Sequence, residues 1–203
     1  MQEKKELAEL AKLHDIAVKA IALAEYYNPQ KKVYIGLHNE LRDTLSHVME
    51  MIKAKEYNAN YNEEFNKASS HLKRAGTDAY ELLCLNCEKH VIDLLKPYDS
   101  EIINRVFPDY YSQIRPTIID VNQKVSEKKL DKGNGDLFEY LHSQAEILIK
   151  HVKSTEKHMC YIIDLQEEEN KKKKRRTIKK YAMQIIIGIL IALGFFVIGL
   201  YVS

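Results

Sequence analysis

From about Lys4 to Tyr26 the apolar residues recur at intervals of three and four, the period of one face of a helix. The segment NPQKK, Asn28 to Lys32, interrupts this pattern, because Pro29 disfavours helix at the residue before it. The spacing then predicts a second helix over about Lys32 to Ala54 and a third from about Asn62 to Lys96, where Pro97 stops it. A fourth is expected over about Pro108 to Leu130, with a kink at Pro116. The clearest loop is DKGNGD, Asp131 to Asp136. A fifth helix begins near Leu137 and meets no breaker afterwards. No useful length of the chain alternates with period two. The expected fold class is therefore all-α, an antiparallel helical bundle.

The last stretch has a different pattern. Tyr181 to Val202 contains no charged residue and is rich in Ile, Leu, Phe and Val. As a helix it would be about 33 Å long, against a hydrocarbon core of roughly 30 Å, so the expectation is a single C-terminal transmembrane helix. Lys171, Lys172, Lys173, Lys174, Arg175, Arg176, Lys179 and Lys180 precede it as a membrane-orienting run. Basic flanks stay on the cytoplasmic side, which places the body in the cytosol and only Ser203 or so opposite. The N-terminal MQEKKELAELAK has no apolar signal-peptide core, so a tail-anchored, single-pass protein of the cytoplasmic membrane is expected. The implied organisation is a helical domain over 1–165, a basic juxtamembrane stalk over 166–180 and the span over 181–203. Gly188, Ala192 and Gly199 fall near one face of the span, as small residues do where helices pack together. The basic run serves either to orient the anchor or to attract anionic lipid.

Charge changes the choice of partners. The formal net charge is +2, but the basic run holds eight of the 31 Lys and Arg residues and no Asp or Glu follows Glu169. The first 170 residues thus carry 23 basic and 29 acidic groups, a net of −6. An acidic body collects nucleic acid poorly, since non-specific affinity comes from phosphate neutralisation. DNA is not expected as a partner, and any RNA contact would be local. The three cysteines suit a reducing compartment. Cys84 and Cys87 form a CxxC inside a helical pattern, without the second pair of a zinc site or the βαβ context of a redox motif. They read as ordinary helix residues. His142, His151 and His158 lie along the fifth helix with no metal-site spacing around them. No metal and no cofactor is expected.

The candidate chemistry lies in NELRDTLSHV, Asn39 to Val48. At 100° per residue, Tyr34, Leu37, Leu45, Val48 and Ile52 all fall within about 40° of Leu41, the predicted buried stripe. Asn39, Asp43 and Ser46 then lie near the opposite side, with Arg42 at about +100° and His47 at about −120° as flanks. Asp43 and His47, four apart, can touch, and a carboxylate there can orient the imidazole. On spacing alone this remains a solvated helix face. Asn39, Arg42, Asp43 and His47, however, resemble the RxxxxH motif of HEPN domains, in which an Arg followed by a polar residue precedes a His by four to six positions. The resemblance covers the motif helix and the bundle layout of residues 1–165.

The resemblance implies a metal-independent endoribonuclease of a prokaryotic defence or stress system, working as a homodimer whose motifs form one composite site. Arg42 and His47 would be catalytic, with Asn39, Asp43 and Ser46 supporting them. The His would move the proton of a ribose 2′-hydroxyl or of the leaving oxygen, and the Arg would stabilise phosphoryl charge. Gly36, on the same face, would admit a partner backbone or RNA. His71, Arg74 and Asp78 form a candidate second cluster beside the first, or else a surface charge ladder. The alternative reading is a non-catalytic HEPN-like membrane protein that oligomerises as an adaptor or membrane-permeabilising effector, as some membrane accessory proteins of CRISPR systems suggest by analogy. Expected partners are the lipid bilayer, further copies of the chain, RNA, and a sensor or other defence-system protein.

Overall fold

A computed structural model describes residues 2–57, 60–130 and 137–202, with side chains for 4–54, 60–127 and 137–191. Six α-helices follow in order: α1 (Gln2–Tyr26), α2 (Ile35–Tyr57), α3 (Tyr61–Leu95), α4 (Ser100–Val106), α5 (Arg115–Leu130) and α6 (Leu137–Val202), with a π-helical turn over Tyr110–Ile114. No strand occurs among the described residues, as the absence of period-two alternation predicts. The predicted loop Asp131 to Asp136 lies outside the described residues.

The long helix α3 is the axis, with α1, α2 and α6 packed on it. Small residues make these seams tight. Ala17, Ala20 and Ala24 of α1 join Ala75 and Ala79 of α3 in the main core, together with Leu83, Cys84, Cys87, Leu141, Leu148 and Val152. At Gly76 an added Cβ would run into the Phe138 ring, so only glycine lets the start of α6 approach α3 this closely. Buried Asn86 ties three elements together: its Nδ2 donates to the Ala24 carbonyl and to the Tyr34 hydroxyl, each at 2.8 Å. Cys84 and Cys87 are free and buried, and burial pushes both thiols up to about 12. They are inert packing groups, as their helical context predicts.

Between α3 and α5 the short helix α4 escaped the spacing rules, whereas the π turn falls inside the helix expected over Pro108 to Leu130. Helix α4 is only two turns long, too short for periodicity to register, and buries Ile102 and Ile103. The π turn precedes Pro116, whose missing N–H and bulky ring disrupt regular bonding to the preceding turn. There the Arg115 N–H reaches back five residues to the Tyr110 carbonyl, the bond that defines a π turn.

The predicted transmembrane helix is a correction. Among the described residues no helix is long and apolar enough to cross a membrane. Of the expected span, side chains are described for 181–191. Side chains of the rest of the expected span, Ala192 and Gly199 among them, lie outside the described residues, and Gly188 has open space around it.

Helix α2 is also turned differently from the predicted stripe. Its buried line is Leu37, Thr44 and Met51, and Leu45 and Ile52 stand 60% and 53% exposed. The helix is thus rotated by about 60° from the orientation that the leucine stripe implies.

Candidate functional site

That rotation decides the fate of the motif. It carries His47 from the flank of the helix into the seam with α3, where its side chain is 25% exposed, and turns Arg42 outward to 70% exposure. Within one chain the two do not meet. Arg42 lies only 3.4 Å from its neighbour Asp43, and the Ser46 hydroxyl donates to the Arg42 carbonyl at 3.3 Å. Among the described residues no hydrogen bond links Asn39, Asp43 or Ser46 to His47. Among the described residues no atom lies within 4 Å of where a Cβ on Gly36 would stand.

What His47 meets is a paired array. Its Nδ1 donates to Glu64 Oε2 at 2.6 Å, and His71 Nδ1 donates to Glu40 Oε2 at the same distance. The two imidazoles stack, with centroids 5.2 Å apart and planes inclined by 20°. Lys67 Nζ lies 2.8 Å from Glu64 Oε1, and Arg74 lies 3.4 Å from Glu40 Oε1. The order across the seam is Arg74, Glu40, His71, His47, Glu64, Lys67.

The register explains this order. Glu40 precedes His47 by seven residues on α2, and Glu64 precedes His71 by seven on α3. Seven residues are two helical turns, so each Glu and His share a face. Because the helices run antiparallel, each Glu meets the other helix's His, and the histidines fall together at the centre. Sequence reasoning placed His47, His71 and Arg74 among the candidates but missed Glu40, Glu64 and Lys67. The signal was present as two copies of Glu followed by His at the seventh position. Asp78 lies one turn beyond Arg74 and lines, with Gly36, Glu40 and Glu81, an open groove of about 620 Å³. Of the predicted second cluster, His71 and Arg74 join the array and Asp78 flanks it.

A carboxylate on Nδ1 fixes each ring's orientation and tautomer and leaves Nε2 as the working atom. Lys67, and after it His47, hold the Glu64 carboxyl below its ordinary value, so Glu64 is the ionised acceptor this pairing needs. No group of His, Cys, Asp or Glu suited to a metal ion occurs among the described residues. The histidines of α6 belong elsewhere. His142 pairs with the Tyr80 hydroxyl at 2.7 Å, and His158 stacks on Phe107 with centroids 4.1 Å apart.

Compared with known proteins, the chain matches no family model, no curated protein and no solved structure.

Proposed function

We propose that the α2–α3 seam is a metal-independent RNA-cleaving site in which His47 and His71 are the acid–base pair. The observation that carries this reading is the stack of two imidazoles, each with Nδ1 anchored on its own carboxylate at 2.6 Å. One neutral ring takes the proton of a ribose 2′-hydroxyl through Nε2 as the 2′-oxygen attacks phosphorus. The bond to the 5′-oxygen breaks, and the other ring, protonated, delivers its proton to that oxygen. The products are a 2′,3′-cyclic phosphate and a 5′-hydroxyl. Arg74 and Lys67, at the two ends of the array, are the cations placed to stabilise charge on the phosphoryl oxygens. In the HEPN reading Arg42 serves this role, and its outward position requires that it be supplied by a second copy.

The test is cleavage of a structured RNA by wild type, His47→Ala, His71→Ala and Arg42→Ala, with a chelator present. Loss of one acid–base group lowers the rate by about a hundredfold to ten-thousandfold. Cleavage unchanged in both histidine variants, or absent from wild type, would sink the ribonuclease reading. An Arg42→Ala loss as large as that of His47→Ala selects the composite dimer; an unchanged rate selects Arg74 and Lys67.

One observation favours the non-catalytic reading. Leu45, Met49 and Ile52 form an exposed apolar stripe on α2, bordering a groove of about 350 Å³ between α1 and α2 lined by Leu7, Leu10 and Leu41. A second copy laid on this stripe would make the chain a self-assembling adaptor. Leu45→Ser with Ile52→Ser then converts an oligomer to a monomer in sedimentation, while RNA is cleaved by neither form.

A further inference from the structure

Beyond Lys173 the helix α6 leaves the bundle. Lys173 Nζ lies 3.2 Å from Asp99 Oδ2, and past this pair no ion pair or hydrogen bond to another helix is found among the described residues. Every residue from Lys171 to Ile191 is exposed.

The chemistry of this arm changes along its length. Glu167 and Glu169 lie 3.5 Å from Lys171 and 3.2 Å from Lys172, so the first lysines are partly neutralised by their own helix. Lys174, Arg175, Lys179 and Lys180 follow, and none of these four has an ion pair among the described residues. Immediately after them come Met183, Ile185, Ile186, Ile187, Ile189 and Leu190, all exposed. Three consecutive isoleucines cover about 200° of the helix surface, and between Ala182 and Ile191 only Gln184 offers a polar side chain to water.

We propose that this end of α6 docks the protein on an anionic lipid surface, with the four unpaired cations on the headgroups and the isoleucine-rich turns entering the boundary between headgroups and acyl chains. Charge complementarity selects the occupant. A nucleic acid would satisfy the cations but cover none of the isoleucines, and a second copy of the arm would cover the isoleucines while opposing like charges. An anionic bilayer offers both phases in the same order along the arm. The body, with its net of −6 over residues 1–170, is repelled by the same surface. The arm therefore holds the α2–α3 seam away from the lipid and open to solvent. The proposal stands independently of the ribonuclease reading.

The experiment is flotation of the full chain with vesicles of phosphatidylcholine alone and of phosphatidylcholine mixed with phosphatidylglycerol. The wild type is compared with a variant carrying K174Q, R175Q, K179Q and K180Q, whose fold is checked by circular dichroism. Each basic residue near an anionic surface contributes about fivefold to binding, so the variant is expected to bind the mixed vesicles more than a hundredfold more weakly. Binding also falls between about 0.1 M and about 1 M salt, as the screening length shrinks from about 10 to about 3 Å. Equal binding of both proteins to neutral vesicles overturns the proposal, because the apolar turns would then suffice. Failure of the wild type to float with either vesicle, whether it sediments as monomer or oligomer, overturns it as well.

Discussion

Two stretches of one helix, α6, both carry many apolar residues and have opposite fates. Between Leu137 and Ile162 the apolar residues come at intervals of three and four, and Leu141, Ala145, Leu148, Val152 and Ile162 are buried against α3 and its neighbours. Between Tyr181 and Ile191 only Gln184 and Gly188 interrupt the apolar residues, and none of the eleven is buried. The first stretch has a polar side to leave in water while it packs. The second keeps only Gln184 on its other side, and it projects from the bundle with every described side chain exposed. Hydrophobicity decides that a segment leaves water, and its periodicity decides whether its own chain can receive it.

The largest expected effect comes from opening the packed stretch. Leu148 is fully buried, and Leu148→Ala is expected to lower unfolding stability by about 2–5 kcal/mol in urea titration, through lost transfer energy and the cavity left behind. A loss below about 1 kcal/mol would break the comparison, since it would mean that this stretch, too, is dispensable to the core.

Overfilling the same seam comes next. Gly76→Ala favours the helix by about 1 kcal/mol but forces the Phe138 ring aside at a cost of about 1–3 kcal/mol. Net destabilisation of up to about 2 kcal/mol is expected, and Phe138→Leu in the same chain should recover part of it. A simple gain in melting temperature would show that α6 does not approach α3 so closely.

His151 sharpens the picture by pH. Burial, and then Lys150, hold its folded pKa below the ordinary value of 6.5. The unfolded chain therefore binds its proton first. The stability His151 contributes is complete above pH 6.5 and declines as pH falls from there through the folded value. His151→Gln should flatten the stability curve on the acid side of that point and leave it unchanged at pH 8. An identical acid slope in both proteins would place His151 in water.

The smallest effect belongs to the projecting stretch. Ile187→Ala, one of the exposed isoleucines, is expected to change the stability of the vesicle-free protein by less than about 0.5 kcal/mol. A cost approaching that of Leu148→Ala would mean that this end of α6 packs on a protein surface.

Helix number and placement were largely legible because long amphipathic stretches and their breakers are local properties. The ends of α1, α2, α3 and α6 fall within a few residues of where the apolar period, Pro29 and Pro97 put them. Helix α4 was not legible, since seven residues carry too little periodicity to stand out, and the π turn lies inside the expected fourth helix, just before Pro116 where a kink was expected.

The site was half legible, and the reason is rotation. A wheel drawn through Leu41, Leu45 and Ile52 predicts a stripe, but it cannot say how much of a stripe wider than one seam will be used. Helix α3 accepts the flank holding Leu37, Thr44 and Met51. That choice brings His47 to His71 and separates it from Arg42, although both belong to one short motif. The sequence by itself determined that the chain is helical, that its charge is segregated, and that Glu and His recur two turns apart on two helices, because each of these is set by composition or by spacing along one element. Only the tertiary structure decided that the helices run antiparallel in a register where each Glu meets the other helix's His, because register depends on the packing of Ala, Leu and Met across the seam rather than on either helix alone.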